Sequence, residues 1–180
     1  MSSNVFSPRG RSIKRWTLRT AQAVLAAAGL AAAGLALLPT GVQAQGSCKP
    51  VAGHYAEHIV VENCMSPVGL CIAGEYRGMI KGDFAGMATS LTPSADTPTT
   101  GVVTFTSDSV IHAQVRGKQG DLLIKNAGAY RTTGDGDIVD VQVIIGGTGD
   151  LAGASGVLRA SGAFVDGSGE SEYTGSLCLP

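Results

Sequence analysis

Glu57 is the residue of this chain best placed to move a proton. Tyr55, Ile59 and Val61 stand on its side of any extended strand through this segment. If that side faces an apolar interior, loss of hydration raises the carboxyl pKa and makes the group a usable acid or base. The opposite register leaves an ordinary solvated glutamate. Tyr76, Tyr130 and Tyr173 join Tyr55 as candidate ligand contacts, because each ring offers an apolar body and a hydroxyl that can orient a bound molecule. His112, in a run with Val110 and Gln114, and the amide of Asn126 complete the set of candidates. His54 and His58 share the other face of the first strand, but at ~3.3 Å per residue they lie ~13 Å apart. One ion cannot take both, so no metal site is expected.

The motif inventory excludes several chemistries. There is no Ser-His-Asp order, G-x-S-x-G elbow, phosphate-binding loop or metalloprotease signature. Gly147-Thr148-Gly149-Asp150 is no nucleotide loop, since no helix follows to receive a phosphate. No cofactor is expected.

The elements that must position these residues begin after an export signal. Arg9, Arg11, Lys14, Arg15 and Arg19 precede an apolar run from Ala21 to Leu38, which Pro39 and Gly41 break. Val42-Gln43-Ala44 then offers small residues for cleavage. This reads as a cleavable secretory leader over residues 1–44, with a domain over 45–180. An uncleaved anchor would need a more hydrophobic span than this Ala- and Gly-rich run, so no stable membrane span is expected after cleavage. The destination is the periplasm or the exterior of a bacterium.

Cleavage changes the charge. The precursor has 13 basic and 14 acidic residues; the leader holds 5 of the basic ones and none of the acidic, leaving 8 against 14, a formal −6. An acidic domain excludes nucleic acid and anionic membrane surfaces as natural partners. All four cysteines lie in the exported part, where an even count favours disulfides. Three pairings are open. Cys64 and Cys71 flank a six-residue loop and could clip a hairpin; Cys48 and Cys178 would then tie the chain ends.

The exported part shows no helical periodicity. Nine runs rich in Val, Ile, Thr and Tyr alternate with turn residues: 54–62, 71–80, 83–91, 101–106, 109–116, 121–130, 138–145, 155–164 and 170–179. Residues 92–100, with Pro93 and Pro98, form the longest loop. Val139, Val141, Val143 and Ile145 alternate with Asp140 and Gln142, and that valine face is expected to point inward. Leu158, Ala160 and Phe164, and Tyr173, Leu177 and Leu179, mark the inner faces of the last two runs. Eight or nine strands without a helix form a sandwich or a closed barrel, and serial hairpins favour an up-and-down barrel.

The segment Ile145-Gly-Gly-Thr-Gly-Asp-Leu-Ala-Gly-Ala-Ser-Gly-Val-Leu-Arg-Ala-Ser-Gly162 resembles the signature of the allene oxide cyclase-like barrels, a group that includes dirigent proteins. Lys125–Arg131 and Ser171–Cys178 resemble the strand before the signature and the closing strand. The resemblance implies an eight-stranded antiparallel barrel with an apolar lumen, often a homodimer or homotrimer. It implies a small apolar or phenolic ligand, and either a cofactor-free cyclase or isomerase or a protein that directs phenol coupling. Glu57 is the nearest match to the luminal glutamate of the cyclases, and Asn126 stands where relatives often carry an acid. A non-enzymatic structural or carrier barrel is the other reading.

Overall fold

The computed structural model describes residues 47–180; the leader expected over 1–44 lies outside the described residues. The strands are β1 Ser47–Val60, β2 Cys71–Gly78, β3 Gly82–Pro93, β4 Val102–Val115, β5 Lys118–Arg131, β6 Asp137–Gly147, β7 Ser155–Val165 and β8 Ser168–Leu179. One short helix, α1 Thr97–Thr100, lies between β3 and β4, inside the segment read as irregular loop. Each strand pairs antiparallel with the next, and β8 pairs with β1 to close the barrel. Among the described residues no helix is long and apolar enough to cross a membrane.

The cysteines pair as Cys48–Cys178 and Cys64–Cys71. Cys48 sits directly opposite Cys178 in the β1–β8 ladder, so this bond staples the seam where the barrel closes. The second bond clips the loop between β1 and β2. Ser66 fastens that loop to β3 by donating its hydroxyl to the Ala88 carbonyl at 2.6 Å.

Three features depart from the sequence expectation. The first strand begins at Ser47 rather than His54. The runs 101–106 and 109–116 are one continuous strand, β4, which passes through the polar Ser107-Asp108 pair left between them; Ser107 and Ser109 are buried inside the barrel. The third concerns β6. Val139, Val141, Val143 and Ile145 face outward and are exposed, while Ile138, Asp140, Gln142 and Ile144 face inward. Register explains the reversal. Gln142 pairs with Leu158 and Asp140 with Ala160, and directly paired residues share a face of the sheet. Since Leu158 and Ala160 are buried, their partners point inward too.

The interior divides along the barrel axis. At the end holding the start of β1 and the end of β8, Val51, Ile80, Ile111, Val115, Leu122, Ile144, Leu151, Leu158 and Leu177 pack solidly and are at most 2 % exposed. Each such side chain contributes ~1.5–3 kcal/mol on burial. The signature turn serves this end. Gly149 takes a left-handed φ of 56°, and a Cβ on Gly147 would stand 2.3 Å from the Leu151 carbonyl oxygen. Gly146 and Gly147 do not take positive φ. Gly147 is required by close approach instead.

Candidate functional site

The opposite end of the barrel is hollow. A cavity of about 130 Å³ opens between the end of β1, the start of β2 and their counterparts around the barrel. A cavity of about 150 Å³ in a protein core can hold a benzene ring, so one aromatic ring can enter here. A register shift between Ala88 and Ser90 turns both Ala88 and Leu91 toward the lumen, which extends the lining to the mouth.

The floor is aromatic. Tyr55 stacks on Tyr76 with ring centroids 4.9 Å apart, and Phe84 meets both edge-on at 5.9 and 5.2 Å. Tyr173 packs behind Tyr76 at 5.5 Å, beneath the cavity rather than on its wall. Its hydroxyl accepts from the Ile80 N–H at 3.0 Å and donates to the Ile80 carbonyl at 3.3 Å. Both ends of that hydroxyl are thus spent on the fold. At the mouth, Phe105, Tyr130 and Phe164 form a second arc, with centroids 6.2 and 6.4 Å apart in succession.

Between floor and mouth lies a polar belt. The Tyr76 hydroxyl donates to Gln142 Oε1 at 2.8 Å, and Gln142 Nε2 donates to Asp140 Oδ2 at 3.3 Å. Asn126 Nδ2 donates to Ser107 Oγ at 3.0 Å and Ser109 Oγ at 3.1 Å. Glu57 lies across from these, only 7 % exposed. Burial pushes its carboxyl up to about 7, helped by the negative charge of Asp140. Burial likewise raises Asp140 to about 6, against the opposing hydrogen bond from Gln142. Burial first pushes the Tyr55 and Tyr76 hydroxyls well above their ordinary value, seconded by the Asp140 and Glu57 charges at Tyr55 and by Tyr55 and then Asp140 at Tyr76. Both tyrosines therefore stay protonated near neutrality, and Tyr76 serves as a donor to Gln142. The carboxyls instead titrate in the range where a general acid or base works best.

The predicted residues divide accordingly. Tyr55, Glu57, Tyr76, Asn126 and Tyr130 meet in one cavity. His112 does not. It faces outward, its Nδ1 2.6 Å from Asp121 Oδ1, with 71 % of its side chain exposed. His54 and His58 are also exposed. Asp140, Gln142, Ser107, Ser109 and the arc of phenylalanines were missed, and strand register was the signal that could have found the first two. Among the described residues no group of three His, Cys, Asp or Glu side chains is placed to hold a metal ion.

This barrel is the fold that the allene oxide cyclase-like and dirigent resemblance implies. No protein-family model and no curated protein matches the chain. Among solved structures it is similar to the pterocarpan synthase dirigent protein GePTS1, at 16% identity over 83% of this chain and 99% of that one, with a TM-score of 0.34. It is also similar to the pterocarpan synthase dirigent protein PsPTS1, at 12% identity over 75% of this chain and 97% of that one, with a TM-score of 0.31. At such identities the chemistry must be read from this chain's own side chains.

Proposed function

We propose that this is an exported barrel that binds a small apolar or phenolic molecule in its lumen and isomerises, cyclises or directs the coupling of it without a cofactor. One observation carries the reading: a cavity with aromatic floor and mouth holds the buried Glu57 carboxyl and the half-buried Asp140 carboxyl, both raised by loss of hydration. The rings would fix the ligand's orientation, and orientation alone can supply a large part of a rate enhancement. Glu57 would act as acid or base on the group it faces, with the Tyr76–Gln142–Asp140 chain holding the second carboxyl in place. The cysteine bonds support export, since such bonds persist in oxidising compartments. The outward valines of β6 would be the face on which a homodimer or homotrimer packs.

The test uses the purified, disulfide-bonded protein. Native mass spectrometry with a panel of monophenols should show one ligand per chain, and chromatography of the released ligand should show a changed product. Ligand recovered unchanged would make the barrel a carrier. Loss of turnover with retained binding in Glu57→Gln would support the acid–base role. Absence of binding by every member of the panel would sink the luminal reading.

A further inference from the structure

The polar belt is unbalanced. Glu57 Oε1, Asp140 Oδ1 and Asn126 Oδ1 are buried and accept no hydrogen bond. All three residues line the cavity, and Glu57 is more than nine-tenths buried. The donors seen in hydrogen bonds there point elsewhere, Tyr76 to Gln142, Gln142 to Asp140 Oδ2 and Asn126 to the two serines, and the remaining hydroxyls, of Tyr55, Ser107 and Ser109, are neutral and bring no positive charge. No Lys, Arg or His stands on the cavity wall to neutralise the carboxylates. A buried acceptor without a donor is costly, and a buried charge without a partner more so. The group that would complete this belt brings donors, positive charge and no acceptor. A primary ammonium has that character: three N–H donors and no lone pair.

We propose, resting on the luminal-binding reading above, that the ligand is a small arylalkyl ammonium, its charged end on Glu57, Asp140 and Asn126 and its ring between Phe105, Tyr130 and Phe164. A phenolic amine satisfies both readings at once. The acidic domain would also draw such a cation toward the barrel, since 14 acidic residues face 8 basic ones over 45–180.

The experiment is calorimetric titration of the disulfide-bonded protein at pH 8 with 2-phenylethylamine, 2-phenylethanol and phenylacetate, which share a ring and differ in the head group. The amine should bind at least about tenfold tighter than the alcohol, and the anion weakest, as charge-assisted hydrogen bonds require. In Glu57→Gln/Asp140→Asn the advantage of the amine over the alcohol should vanish, and any remaining alcohol binding shows that the lumen is intact. Alcohol binding as tightly as amine in the unmodified protein overturns the ammonium proposal and leaves the luminal reading standing. Failure of all three to bind overturns both. The comparison in the unmodified protein decides the matter even if the double variant does not fold.

Discussion

Replacing Glu57 by glutamine should make the protein more stable at pH 8, an unusual outcome for a fully buried polar residue. The folded carboxyl sits at about 7, against an ordinary 4.5, because burial and Asp140 disfavour its ionised form. The native state therefore holds this proton more tightly than the unfolded chain does. That advantage is complete below pH 4.5 and is lost as the pH rises through about 7. At about 1.4 kcal/mol per pH unit of displacement, the loss amounts to ~3 kcal/mol. Glutamine keeps the shape and carries no charge, so its stability should not change over this window on account of this site. Urea unfolding from pH 4 to 8, disulfides intact, gives both curves. Their difference removes the contribution of the surface carboxylates, which the two proteins share. Near pH 4 the curves should agree within about 1 kcal/mol, and by pH 8 the variant should lead by ~3 kcal/mol. A constant difference across the range, or a variant weaker at pH 8, would refute the claim that the lumen holds an uncompensated carboxylate. Addition of 2-phenylethylamine at pH 8 should close part of the gap, by binding only the ionised native protein.

Tyr173→Phe strands the N–H and carbonyl of Ile80 at the packed end and should cost ~2 kcal/mol in urea unfolding, without moving ligand affinity. Cys48→Ser/Cys178→Ser opens a loop spanning 130 residues and should lower stability by ~4 kcal/mol; the intact mass of the unmodified protein should be four hydrogens below that of the reduced chain. Val141→Asp, on the exposed face of β6, should shift any homodimer or homotrimer to monomer in light scattering behind a sizing column, and leave the thermal unfolding of the barrel nearly unchanged.

Much of the barrel was legible because its packed end obeys ordinary rules. Leu158 and Leu177 alternate with polar residues as strands with one wet face should, and Gly-rich turns punctuate them. The same rules misread the hollow end. A working lumen carries polar groups where a core would carry apolar ones, so Ser107-Asp108 looked like a break between strands. On β6 the valines outside are more hydrophobic than the Asp140 and Gln142 inside, and composition alone chose the wrong face. Glu57 escaped this error because Tyr55 and Ile59 share its side of β1 and also line the cavity. Cross-strand register carries the missing information, and a single sequence does not supply it.

Seven of the eight strand pairings join neighbours along the chain and can form as local hairpins. The β1–β8 seam is different, because it joins the two ends of the domain. Pairing of such high contact order forms late and is the natural place for a barrel to unroll. An unrolled barrel presents two bare edge strands, each a template for addition of another chain. The Cys48–Cys178 bond lies in that seam and holds it shut. In a reducing compartment the same sequence would be an aggregation hazard, so an oxidising environment would protect its solubility as much as its stability.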